Sequence, residues 1–316
     1  MFIRPQIRGD LFKKQILQQE DPMKTKILTD SCCDLSLSYI DHHKEALEVI
    51  GIPVQMEGKD FIDDLGRSYN HTDFYNALRR GVMPTTSQIN TYRFEKAFHT
   101  TLETGKEVIY LGFSSGLSGT YNAAFLARNL VLEDRPDAPL YVVDTLSASI
   151  GLGVLVLKAV AMAEAGAGAS EIAEWILQNR FNANHWFGVD DLIFLKNGGR
   201  IGAATAAVGS VLNVKPILTM DTAGILKPYN NVRGRKKVMS FLSEQLKKHF
   251  IENTTTCAII GHGDCEADAE HLKEILAESF PQVDVQIMPL SMTIASHVGP
   301  NMLALAFLGE TREANA

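Results

Sequence analysis

Val108-Ile109-Tyr110-Leu111-Gly112-Phe113 runs straight into Ser114-Ser115-Gly116-Leu117-Ser118-Gly119-Thr120-Tyr121. The first string is apolar without alternation, as a strand buried on both faces requires. It stops at serines and glycines, and 122–127 (NAAFLA) continues as a helix. A strand that ends this way leaves backbone N–H groups and short hydroxyls at the helix start. Such groups suit a small anion.

The pattern repeats on either side. Strands are predicted over 25–28, 49–54 and 140–143, and helices over 73–80, 93–102 and from Thr120 and Ser147. Strands alternating with helices imply an α/β layer built on a parallel sheet. Functional loops in such sheets gather at the carboxyl ends of the strands. Asp30-Ser31, Ser114-Ser115 and Asp144-Thr145 all fall there.

The second half reads differently. Helices are expected over 171–178, 203–212, 236–249 and 266–279, and strands over 186–189, 257–260, 283–288 and 302–308. Segments 216–220 and 225–229 flank Asp221-Thr222-Ala223-Gly224, a hairpin-like turn. Paired strands mixed with helices suggest α+β. The expected organisation is an extension over 1–22, a Rossmann-like parallel-sheet α/β domain over 23–167 and an α+β domain over 168–316. The boundary falls where Ala and Gly cluster, at 165–170.

Composition narrows the class. A chain of 316 residues with 46% apolar content fills a sizeable core. Its net charge of −7 argues against a surface given over to nucleic acid. The four cysteines, Cys32, Cys33, Cys257 and Cys265, lack C-x-x-C spacing. Neither a zinc site nor a disulfide framework is expected, and reduced thiols fit the cytoplasm. Charges interrupt 1–22, so it is no secretory signal. The apolar run 150–157 ends at Lys158, too short to cross a bilayer.

Several constellations bear chemistry. Thr85-Thr86-Ser87-Gln88 offers hydroxyls, or else caps the next helix. His297-Val298-Gly299-Pro300 places a histidine in a tight turn, suited to an acid headgroup or to a structural role. Gly198-Gly199-Arg200 puts a forked cation on a glycine loop. Arg233-Gly234-Arg235-Lys236-Lys237 is either a solvated face or a docking patch for acidic groups. Gly151-x-Gly153 lacks the third glycine of a dinucleotide fingerprint and reads as close helix packing. No metal-ligand spacing is evident, so no metal and no cofactor are expected.

Taken in order, eight strings resemble the DegV family of fatty-acid-binding proteins. They are Ile27-Leu28-Thr29-Asp30-Ser31 with Asp34-Leu35, Thr86-Ser87-Gln88, the run 114–121, Val143-Asp144-Thr145 with 147–153, and Leu195 to Ile201. Residues 212–218, 232–237 and His297-Val298-Gly299-Pro300 complete the set, and the match runs over 24–309. The resemblance implies two domains with one long-chain fatty acid in a tunnel between them. It implies that Thr86, Ser115, the N–H of Gly116 and His297 hold the carboxylate. It also implies a carrier, not an enzyme, that presents the acid to an ATP-dependent fatty acid kinase for acyl-phosphate formation. Arg200 matches the arginine tied to that step, and a transient contact with a membrane surface belongs to the same picture. Cys32-Cys33 stands where Thr and Ala are usual, and Asn301 where Gly is usual. Residues 1–22 match nothing in the family.

The physics accommodates such a ligand. A carboxylate leaving water needs strong donors, while each buried CH₂ contributes about 0.8 kcal/mol. Two other readings stand beside it. One is a lipid-ester hydrolase using Ser115 and His297, with Asp30 or Asp144 orienting the ring; the G-x-S-x-G elbow is absent, since Phe113 precedes Ser115 by two. The other is a lipid-responsive sensor that docks through Arg200 and the basic run near Arg235.

Overall fold

Ile27, Leu28, Ile109, Tyr110 and Leu111 are fully buried on the two middle strands of a four-stranded parallel sheet. The computed structural model describes residues 23–202 and 213–312. The extension 1–22 and the helix expected over 203–212 therefore lie outside the described residues. The parallel sheet comprises β1 (Thr25–Asp30), β2 (Leu47–Ile50), β6 (Glu107–Gly112) and β7 (Leu140–Asp144), in the order β2-β1-β6-β7. α1 (Leu37–His42) lies between β1 and β2; α3 (Thr91–Leu102) precedes β6 and α4 (Thr120–Asp134) follows it, and these last two helices pack together. Asn90 caps α3 by accepting the N–H of Arg93 at 2.9 Å.

The strand expected over 49–54 is two strands. β2 ends at Ile50, and β3 (Ile52–Met56) enters a different sheet. The break is Gly51, where a Cβ would sit 2.4 Å from the Asp63 carbonyl oxygen. β3 pairs antiparallel with β4 (Lys59–Asp63) and with β5 (Thr85–Thr86). The β3–β4 turn, Glu57-Gly58, has both residues at positive φ, as a two-residue hairpin loop prefers. This small sheet shares a core with α2 (His71–Arg79) and α10 (Met292–Val298) through Val54, Phe74, Leu78, Met292 and Ala295.

A six-stranded mixed sheet forms the rest. β8 (Ala183–Gly188), β9 (Val214–Met220), β10 (Leu226–Arg233), β11 (Cys257–His262), β12 (Asp284–Pro289) and β13 (Leu303–Leu308) take the order β10-β9-β8-β13-β11-β12. Only β11 and β12 pair in parallel. α8 (Arg235–His249) and α9 (Glu266–Ser279) cover one face, burying Val238, Leu242, Leu272 and Leu276.

α5 (Ile150–Glu164) covers the other face and also packs on β1. Its first two turns, residues 150–156, are apolar and buried on every side. Gly151 and Gly153 make that possible. A Cβ on Gly151 would meet the His185 ring at 1.8 Å, and one on Gly153 the Cys33 carbonyl at 2.7 Å. α6 (Ala169–Asn179) follows the expected boundary, yet it packs on β6 and β7 of the parallel sheet. Among the described residues no helix is long and apolar enough to cross a membrane.

Three fully buried carboxylates bind these parts. Asp30 accepts from the Tyr110 hydroxyl (2.6 Å) and the Phe113 N–H (3.1 Å). Asp34 accepts from the Ser149 hydroxyl and the Ser291 N–H. Asp63 accepts from the N–H and hydroxyl of Thr293 at 2.8 and 2.6 Å, and from the Leu65 N–H at 3.2 Å. Burial pushes the pKa of all three upward, that of Asp34 to about 7.

Candidate ligand-binding site

Three of the polar side chains of the site come from widely separated segments. β5 delivers Thr86 at the edge of the small sheet. α10 delivers His297, which lies in its last turn and not in the loop that its glycine and proline suggested. Gly299 ends the helix at φ 76°, where a Cβ would meet the Phe194 ring at 2.5 Å. The loop after α7 (Ile193–Asn197) delivers Arg200.

These residues meet. Thr86 Oγ1 and His297 Nε2 are hydrogen-bonded at 2.8 Å, although 211 residues separate them. His297 Nδ1 is buried without a partner and faces Gly198, where a Cβ would lie 2.2 Å away. Burial, reinforced by the nearby Arg200 cation, lowers the His297 pKa to about 4, so the ring is neutral at pH 7. Arg200 is half-buried and donates from Nε to the Leu117 carbonyl at 3.2 Å. That contact brings it to the loop after β6. Gln88 approaches the same loop, since a Cβ on Gly119 would meet its Oε1 at 2.0 Å.

A cavity continues inward from this cluster. It encloses about 820 Å³ of empty space, open solvent at its mouth included. Thr86, Gln88, Ser118, Arg200 and His297 line it, and the wall is otherwise mostly apolar: Ile52, Phe113, Leu117, Ile150, Phe187, Leu195, Ile294, Val298 and Met302. Cys32 is also in the wall; burial raises the thiol pKa of Cys32 and Cys33 well above the usual range, which makes them poor nucleophiles. Among the described residues no group of three or more His, Cys, Asp or Glu side chains is placed to hold a metal ion.

The serine loop departs from expectation. Ser115 and Gly116 are exposed and do not line the cavity, whereas Ser118 does. The expected free N–H groups are also engaged. Ser115 N–H donates to Asp144 Oδ1, Gly116 N–H to Ser114 Oγ, and the N–H groups of Leu117 and Ser118 to the Ser114 carbonyl. Ser114 is buried and donates its hydroxyl to the Gly224 carbonyl at 2.7 Å. The loop is thus fastened to the β9–β10 turn. A backbone anion cradle is not formed at residues 115–118.

The residues needed by a hydrolase are not assembled. His297 pairs with Thr86, Asp30 is committed to Tyr110, Phe113 and Cys32, and Asp144 accepts from Ser115 and Leu146 N–H groups. Among the described residues no carboxylate is hydrogen-bonded to the His297 ring, and no base to Ser115.

Ser118 belongs to the same Ser114–Tyr121 string as Ser115, the serine expected at the site. The flanking glycines, Gly116 and Gly119, obscure which serine turns inward. Ile294, His297 and Val298 carried a plainer signal, because their spacing of three and four places them on one helix face.

An apolar cavity closed at one end by neutral and cationic donors defines a protein that can hold an amphipathic molecule by a small acidic head. The chain belongs to the DegV family: the family's model, described as an uncharacterised protein, matches residues 24–310. It is 39% identical over 290 residues to a DegV domain-containing protein of Clostridium perfringens, covering 92% of this chain and 99% of that one. A Thermotoga maritima structure, reported to reveal fatty acid binding function, superposes with a TM-score of 0.79 at 32% identity, over 91% of this chain and 100% of that one. The Streptococcus pneumoniae Fatty Acid Kinase (Fak) B3 protein, loaded with linoleic acid, superposes with a TM-score of 0.78 over 91% of this chain and 100% of that one. At 23% identity, it shows a shared fold.

Proposed function

We propose that this chain binds one long-chain fatty acid in the cavity and presents its carboxylate to a fatty acid kinase, acting as a carrier without turnover of its own. The observation that carries the reading is the Thr86–His297 pair on the wall of a mostly apolar hollow. An entering carboxylate accepts from the Thr86 hydroxyl and from the imidazole N–H, and the tail lies along Ile294, Val298 and Phe187. The family resemblance assigns the head also to Ser115 and Gly116. Their exposure leads us to place Ser118 there instead. The fatty acid bound by the Thermotoga maritima relative supports the ligand class. The kinase step draws on the name of the Streptococcus pneumoniae neighbour. In this reading the chain works in the cytoplasm, with its four cysteines free and only passing contact with a membrane surface.

Magnitudes favour the tail as the source of affinity. About sixteen methylenes at about 0.8 kcal/mol each give roughly 13 kcal/mol before association costs. A hydrogen bond to the charged head adds about 1.5–3 kcal/mol. The head therefore fixes the register of the ligand and the presentation of its carboxylate.

Arg200 separates binding from presentation. Its guanidinium lies beside His297 and already holds the Leu117 carbonyl. Arg200→Ala is expected to keep the fatty acid bound within about threefold. Acyl-phosphate formation by an added bacterial fatty acid kinase should fall about a hundredfold, as when a donor to developing charge is lost. Binding titration and hydroxylamine trapping of the acyl phosphate read the two effects apart. Loss of binding in Arg200→Ala would move this residue into the head-binding group.

A further inference from the structure

A second hollow lies at the end of the six-stranded sheet, lined by Trp186, Tyr229, Lys248, His249 and Arg312 among others. It encloses about 360 Å³, solvent at its mouth included, and no carboxylate side chain lines it. Two of its walls carry buried donors without acceptors. Trp186 is 5% exposed and its Nε1–H is unbonded; Arg312 is 6% exposed and its Nε–H is unbonded. The remaining nitrogens of Arg312 reach only neutral groups: Nη2 the carbonyls of Leu146 and Arg180 at 3.1 and 3.2 Å, and Nη1 the His185 ring at 3.5 Å.

The charge balance points the same way. Among the described residues Arg312 makes no ion pair within 4 Å. The opposing charge that it senses is Asp221, whose Oδ1 is taken by the N–H groups of Ala223 and Ile225. A second guanidinium, Arg180, faces the same Phe181 ring, with ring distances of 5.1 Å for Arg180 and 5.7 Å for Arg312. Arg180 Nε is likewise buried and unbonded. Buried charges are normally paired. Among the described residues, these two guanidinium groups on one ring have no directly bonded carboxylate.

We infer that this hollow is a second ligand site, for a small oxyanion such as a phosphate or a carboxylate. Arg312 Nε–H and Trp186 Nε1–H donate from the buried side, and the Lys248 ammonium approaches from solvent. The rings of Tyr229 and Trp186, 4.9 Å apart and nearly perpendicular, wall the site. Trp186 borders both this hollow and the acyl cavity, but Lys248 and Arg312 line this one alone, and Thr86, Ser118 and His297 line only the acyl cavity.

The two tryptophans of the chain make the test direct, because Trp175→Phe leaves Trp186 as the single indole. The full chain carrying that change is titrated with inorganic phosphate and, separately, with acetate, at ionic strength held constant with chloride. A saturable change in Trp186 fluorescence with at least one oxyanion, absent with chloride alone, is expected. Response to phosphate alone identifies a phosphoryl ligand, and response to acetate identifies a carboxylate. Lys248 is exposed, so Lys248→Ala leaves the fold intact; it should weaken saturation about tenfold. Arg312→Gln, checked for folding by circular dichroism, should weaken it further. A response equal to that of chloride, or saturation unchanged in both variants, would overturn the assignment.

Discussion

His297→Ala is expected to weaken fatty acid binding by about ten- to a hundredfold, the equivalent of one hydrogen bond to a charged group. It should not abolish binding, because the buried tail contributes several times more than the head. The ring sits in the last turn of α10, wedged between Thr86 and Gly198. Its removal also strands the Thr86 hydroxyl. Ser118→Ala should cost about tenfold, the low end for a hydrogen bond to a charged group, while Ser115→Ala should stay within about twofold of wild type. Titration of each variant with a fluorescent or isotopically labelled long-chain fatty acid checks the series. Equal losses in Ser115→Ala and Ser118→Ala would return the head-binding role to Ser115, as the family resemblance has it.

Asp63→Ala should be strongly destabilising, lowering the free energy of unfolding by about 3–6 kcal/mol. Three buried donors, the N–H and hydroxyl of Thr293 and the N–H of Leu65, lose their common acceptor. Each such orphan costs about 1–3 kcal/mol, against a typical total stability of about 5–15 kcal/mol. The bonds to Thr293 hold the first turn of α10 to the end of β4, so the same change loosens the helix that carries His297. Urea denaturation measures the loss. Asp63→Asn should lose less, since its amide keeps one acceptor oxygen and carries no buried charge. A loss below about 1 kcal/mol in Asp63→Ala would mean that Thr293 finds another acceptor and that α10 is held by packing alone.

Much of this architecture was legible from local pattern, and the rest was not for identifiable reasons. The parallel strands announce themselves because Ile27, Leu28 and Ile109 to Leu111 are buried on both faces. The start of α5 was readable for the same reason, an apolar run over 150–157 with two glycines where neighbours press in. The small sheet was not. β4 reads Lys-Asp-Phe-Ile-Asp, with little apolar signal, and β5 is two threonines long. Gly51 hid the change of sheet inside what looked like a single strand. No periodicity connects Thr86 to His297, 211 residues away; only the resemblance to a family brought them together before the structure did. The serine loop misled because the side chain of Ser114 turns inward to Gly224 and its carbonyl absorbs two N–H groups. Backbone donors that look free in a sequence can be spent within their own turn.

Lipid carried through purification offers the most direct check on the proposal as a whole. Purified full-length chain is denatured, extracted and analysed by mass spectrometry, beside native mass spectrometry of the intact protein. One long-chain fatty acid per chain is expected, with lower occupancy in His297→Ala. A chain that carries no acyl species, and that takes up none when long-chain fatty acids are added, would show that the hollow between Thr86, His297 and Phe187 serves some other ligand.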